Sequence, residues 1–458
     1  MKRRQFIVGA ASAAGVLAID RSSATPCAPV LSIDGAAPPP QNNCAAPSEP
    51  PPWVSQAISK GWKPGQWLAI SGSNPTNGYG LTPTNTLASV NTAGDSAQDL
   101  THHFITSWTG AALCIGHRSY GTYMMGPGGN HNNYDKGTTY LFDLETREWE
   151  EVAGEDTSGF DPSSPYGEYN SGRPVTNHSA WWPFYDSYRN EFAYPRGWGS
   201  PISGSDQYPK PYGHGLDLAS YDTKGYSDKL WRRYPKLDGL TADELNGLCV
   251  QCGGAWDESR NSFWLVAAHN SLSASGIVAR YSSVDNAWTL YEKQWCVFLG
   301  SAYAIDPIRD VLTMPGSYQN GRIYCLSLSK PNERYQEPRS TSALWVAQES
   351  GARPENYGQI GWHWSKARNG FIYYDWHSPA TVRLASYVSG GTFKAGQQTD
   401  YRLEWSVITS PDNSVVPTAK PSAGGNVYSK FQLARWGSVE IAFFYPRADG
   451  AMYAFRVS

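Results

Sequence analysis

Along most of the chain, hydrophobic and polar positions alternate in short runs separated by turn residues, and long stretches of helical period are missing. The run Thr139-Tyr140-Leu141-Phe142-Asp143-Leu144 is typical, and it predicts a strand in a packed sheet. Ahead of it lie an apolar strand ending at Met124-Met125, a glycine doublet (Gly128, Gly129) and a polar loop. Behind it come a Glu-Thr-Arg turn and Trp149. A glycine doublet allows tight or positive-φ backbone at a strand end. Further upstream, Gly65 to Ile70 predicts a lone strand and Trp53 to Trp62 a short helical turn.

A second pattern recurs four times as apolar-(Asp/Ser)-x-x-Arg-(Asn/Asp)-x-apolar. Its copies are Tyr185 to Phe192, Trp256 to Phe263, Ile305 to Leu312 and Trp364 to Phe371. Asp, Ser and Asn suit such turns because they bond their own backbone, so these residues, with the turn arginines, belong to strand A–strand B hairpins and are not nominated as catalytic. Tryptophans at 149, 231, 288, 345 and 405 close five such units as fourth strands. A sixth unit (Phe431 to Trp436, Val439 to Tyr445, Ala451 to Val457) ends one strand short, and the strand around Trp67 would complete it. Pairing there would cover sheet edges otherwise left exposed. The expected fold is an all-β propeller of six blades, its ring closed by an N-terminal strand. Seven blades is the alternative, if residues 150–231 hold an extra one.

The glycine doublet, Tyr140 and Trp149 of the first unit resemble a kelch-type blade, and the resemblance extends over most of residues 65–458, although later blades depart from the doublet. Kelch-type propellers form the core of galactose-oxidase-like enzymes. That family's copper site, with its cross-linked Cys and Tyr and paired His ligands, finds no counterpart here. His102-His103 precedes the first blade strand, which is the wrong context.

Composition agrees with the patterning: Gly (45), Pro (32), Trp (19) and Tyr (29) are high, while charged residues make up only 17% of 458. A net charge of -3 gives no electrostatic reason to expect nucleic acid or an anionic membrane as partner. Lys2-Arg3-Arg4-Gln5-Phe6-Ile7 and the Ala/Gly-rich run to Ala18 look like a twin-arginine signal, too short to span a bilayer. The expected organisation is a signal peptide over 1–24, a Pro-rich leader over 25–64 and a propeller over 65–458. The protein would then be periplasmic or secreted, with no membrane contact after signal cleavage, and a monomer. Of seven cysteines, Cys27 and Cys44 could pair with each other. Cys249-Val250-Gln251-Cys252 has metal-like spacing but no accompanying Cys/His pair, and favours core packing or a disulfide over zinc. Cys114, Cys296 and Cys325 sit in apolar strand patterns and read as buried small hydrophobes.

Strand register sorts the polar residues by face. A–B and C–D turns share one face, where His117 and Arg118 are expected to be structural. The B–C loops and blade connections share the other. That face is expected to collect Asn130, His131, Asn133 and Tyr134 from blade one, Arg196 and Trp198 from blade two, and His269 and Asn270 from blade three. Tyr318 (blade four), Trp376 and His377 (blade five) and Arg447 (blade six) complete the set, and His178 lies where the second blade begins. Aromatic faces stack on sugar rings, while Asn, His and Arg bond hydroxyls and carboxylates.

The leading expectation is therefore a carbohydrate-binding face; catalysis is left open by the sequence, and the form of it to test is β-elimination of a uronate, as a polysaccharide lyase performs. His131 or His178 would act as base, Tyr134 as acid and Arg196 as charge neutraliser. Hydrolysis is less supported, because the few acids on this face (Asp135, Asp375, Asp449) form no obvious pair. No serine elbow, phosphate loop or dinucleotide fingerprint occurs. The alternatives are a non-catalytic glycan- or protein-binding propeller, or a metal-dependent enzyme with His131, His178, His269 and His377 as ligands. No cofactor is expected, and a metal is left open.

Overall fold

A computed structural model describes residues 47–105, 109–128, 136–161, 163–164, 166–176, 183–194, 213–240, 253–267, 276–294, 302–316, 321–331, 345–355, 357, 359–388, 401–417 and 427–458. Six small antiparallel sheets are arranged as the blades of a propeller. From the innermost strand A outward, blade one is Ala111–Cys114, Thr122–Met125, Thr139–Asp143 and Glu148–Ala153. Blade two is Phe184–Asp186, Glu191–Tyr194, His214–Asp217 and Trp231–Arg233. Blade three is Gly253–Asp257, Ser262–Ala267, Gly276–Ser282 and Ala287–Gln294; blade four is Ala304–Asp306, Val311–Pro315, Ile323–Ser327 and Trp345–Val346. Blade five is Gly361–Ser365, Gly370–Tyr374, Val382–Tyr387 and Arg402–Val407, with Gln348–Gly351 added in parallel outside its fourth strand.

Blade six takes three strands from the chain's end, Phe431–Trp436, Val439–Phe444 and Tyr453–Arg456. Its fourth is Trp67–Ala69, with Trp67 opposite Phe455 and Ala69 opposite Tyr453. The A strands of neighbouring blades touch in a closed ring, blade six meeting blade one. All five expected tryptophans lie in fourth strands. Among the described residues, 150–231 adds to blade two a two-stranded hairpin (Phe160–Asp161, Glu168–Tyr169) and a helix (Leu218–Lys224), so this stretch supplies no seventh blade.

Turn chemistry explains the recurring hairpins. Asn190, Asn261, Asp310 and Asn369 hold positive φ (54°, 45°, 60° and 47°), a backbone region these two residue types tolerate best after glycine. The Asp306 carboxylate accepts from the backbone N–H of Ile308 (2.9 Å) and Arg309 (3.2 Å), and Asp257 accepts from that of Ser259 (3.0 Å). The turn arginines then reach across the seams. Arg189 of blade two donates from Nη2 to the Ser283 carbonyl of blade three (2.9 Å), and Arg260 of blade three pairs with Asp310 of blade four (2.7 Å). Arg309 of blade four lies 3.3 Å over the Tyr387 ring of blade five. In blade one, His117 Nε2 and Arg118 Nε bond Asp222 (2.8 and 3.1 Å) on the helix of blade two, so both residues are structural. That helix starts at Asp217, which caps the Ser220 N–H, and stops at Gly225 with φ 74°.

Aromatic side chains fill the seams. Trp67 packs on Phe455 and Tyr374 (5.1 and 5.3 Å), joining blades five and six, and Trp149 meets Tyr445 at 4.4 Å between blades one and six. The helical turn near Trp53 is a helix, Pro52–Ser59, which buries Trp53, Val54 and Ala57; Trp53 Nε1 donates to the Leu144 carbonyl at 2.7 Å. Cys114 and Cys325 are buried free thiols whose ionisation burial opposes.

Candidate functional site

Strand direction places each B–C loop, and each A-strand start, at the same end of the ring. On that face blade five presents a compact loop after Tyr374. Asp375 is buried and accepts from the Tyr373 hydroxyl (2.7 Å) and from the Ser378 N–H (3.0 Å). The Thr381 N–H donates back to the Ser378 carbonyl at 2.7 Å, which tightens the loop. Above this anchor the Trp376 and His377 rings lie 3.8 Å apart at 32°, with the His377 side chain 53% exposed and its Nδ1 3.7 Å from Asp375. The corresponding loop of blade six carries Arg447, held by a two-point pair with Asp449 (2.9 and 2.8 Å). Asn130, His131, Asn133, Tyr134, His178, Arg196, Trp198, His269, Asn270 and Tyr318 lie outside the described residues.

A second group on this face was not singled out from sequence. Glu168, on the added hairpin, accepts from His214 Nε2 (2.7 Å), from Arg233 Nε and Nη2 (2.7 Å each) and from Ser164 Oγ (2.6 Å). Residues 214 and 233 are register partners at the ends of strands C and D of blade two. Burial alone would raise the Glu168 carboxyl, but bonds from His214, Arg233 and Ser164 outweigh it and hold the group at about 2. Arg233 also lies 4.7 Å over the Tyr166 ring. Every lone pair of this carboxylate is engaged, so Glu168 anchors the hairpin and is not a free base.

Behind the face runs a central cavity of about 430 Å³, lined by residues on or beside all six A strands. Pro183, Ala302, Ile360 and Ser429 line it at the B–C end, and Ile115 and Glu258 at the opposite end. Polar and apolar surface share its wall nearly equally, and small residues at Ala112, Gly254, Ala255 and Ala304 leave the space open. His363 and Gln432 are its polar members near the middle. The signal for His363 was its place in Trp362-His363-Trp364, where alternation turns it away from two core tryptophans.

No protein-family model matches the chain, and no curated protein matches it in sequence. Among the described residues, no helix is long and apolar enough to cross a membrane, and no group of three or more His, Cys, Asp or Glu side chains is placed to hold a metal ion.

Proposed function

We propose that the protein is a binding propeller that takes a carbohydrate on its B–C face, with the Trp376–His377 loop as one contact. The observation that carries this reading is an aromatic pair that is part exposed and held by a buried aspartate through a tight loop. A half-buried indole offers an apolar face to the C–H side of a pyranose at little entropic cost, and the adjacent imidazole and Arg447 offer polar contacts to hydroxyls or a carboxylate. The residues expected on the same face from the other blades, His131, His178, Tyr134 and Arg196 among them, would extend that contact and would carry any β-elimination. A leader of twin-arginine type would bring the folded protein to the periplasm or beyond, where polysaccharides are met.

The test is calorimetric titration of the mature protein with neutral and uronate polymers, followed at 232 nm for the unsaturated product of elimination. Saturable binding that weakens at least tenfold in Trp376→Ala supports the reading. Turnover lost in His131→Ala would extend it to a lyase. Binding by no polymer, or binding indifferent to Trp376→Ala, would defeat it.

A further inference from the structure

We propose that the central channel is a second binding site, for a small neutral molecule with an apolar body and a hydroxyl head group, an aryl alcohol for example. The hydroxyl would donate to His363 Nδ1 or Gln432 Oε1. This site is separate from the carbohydrate face and does not rest on it.

The two acceptors are defined by what their other atoms do. His363 Nε2 is 2.5 Å from the Phe431 carbonyl, which has no proton, so Nε2 must carry the hydrogen and Nδ1 the lone pair. Gln432 Nε2 donates to the carbonyls of Ala111 (3.0 Å) and Ser429 (2.5 Å), which fixes the amide orientation and leaves Oε1 as the acceptor. Neither His363 Nδ1 nor Gln432 Oε1 has a hydrogen-bond partner among the described residues, and neither is sealed off by protein. The cavity is the space that both residues line. Two lone-pair atoms on neighbouring blades therefore ask for a donor.

The rest of the wall selects the body. Leu113, Ala255, Ile305 and Leu433 are apolar, and a volume of about 430 Å³ falls within the range of small-molecule sites. Beside these two neutral acceptors a cation would lose its hydration without a countercharge, because the one carboxylate among the described lining residues, Glu258, lies at the far end by the A–B turn, so a neutral donor fits better there than an amine. Burial also keeps the His363 imidazole neutral, its pKa pushed down to about 4 although the Phe431 carbonyl acts the other way. Nδ1 is thus available as an acceptor at neutral pH.

The probes are benzyl alcohol, toluene and benzylamine, titrated into the full mature protein by calorimetry, with nitrogen-15 spectra of the histidines alongside. Benzyl alcohol should bind about tenfold more tightly than toluene, a ratio near that of one net hydrogen bond. It should also shift the His363 Nδ1 resonance. His363→Phe should abolish the preference for alcohol over toluene, and Ala255→Trp should block both ligands while sparing glycan binding at the rim. Should a variant fail to fold, the alcohol-to-toluene ratio and the Nδ1 shift on the unmodified protein still decide. Equal affinity for toluene, preference for benzylamine, or no binding beyond water overturns the proposal.

Discussion

The guanidinium of Arg368, in the first turn of blade five, donates from Nε at 3.0 Å and Nη2 at 2.7 Å to the Val457 carbonyl of blade six. Its counterparts Arg189, Arg260 and Arg309 tie their own blades to the next one round. The repeated arginine is therefore a seam clamp, and its periodicity in the sequence follows the periodicity of the ring. Arg368→Lys keeps the charge but loses the fork. It should cost about 1 kcal/mol, because the site is exposed to solvent. Urea denaturation would measure this, and an unchanged midpoint would show the clamp to be idle.

Trp67→Ala should be far more damaging. The indole is 1% exposed and packs on Phe455, Tyr374 and Phe431. Truncating a fully buried aromatic costs about 3–5 kcal/mol, and here it also loosens the strand that covers Tyr453–Arg456. Chemical denaturation should show the loss, and light scattering should show association through the bared edge.

Asp186 predicts a dependence on pH at the neutral end. Burial, and then the charge of Glu191, raise its carboxyl to about 7. A carboxyl raised on folding contributes stability that is complete below its usual value of 3.8 and is lost as pH rises through about 7. Asp186→Asn should therefore flatten the decline in stability between pH 5 and 8. Melting temperatures across that range would show it, and parallel curves for the two proteins would refute it.

Glu168 works in the opposite sense. Its carboxyl is held at about 2 against an ordinary 4.5, so its contribution is complete above 4.5 and is lost as pH falls toward 2. Glu168→Gln leaves His214 and Arg233 without their carboxylate. It should cost on the order of 3 kcal/mol at pH 7 and less at pH 2. Denaturation at the two pH values would check both numbers.

How far the sequence could be read depended on how local each interaction is. The four hairpins were legible because their determinants lie within one turn, as when Asp306 caps Ile308 and Arg309. The pairing of Trp67–Ala69 with the last strand was legible through arithmetic, since the sixth unit lacked a strand and one strand stood alone. Trp376, His377 and Arg447 likewise fall in the expected loops. What escaped was the identity of distant partners. Val457 lies 89 positions from Arg368, and Glu168 lies 46 from His214 and 65 from Arg233, separations over which no periodic signal survives. His363 was visible as the polar residue between two tryptophans, but only closure of the ring turns that side of the strand toward a cavity.

The pairing of Trp67 with Phe455 also sets the order in which the molecule can be finished. A chain emerging from the ribosome can build blades one to five as each is completed. The sixth sheet must wait for Tyr453–Arg456, while the strand made first stays without its partner. Because closing so long a loop is entropically slow, this pairing is expected to be a late step of folding. A copy lacking Tyr453–Arg456 would keep open edges on both Trp67–Ala69 and Val439–Phe444, which sets it apart from the closed ring.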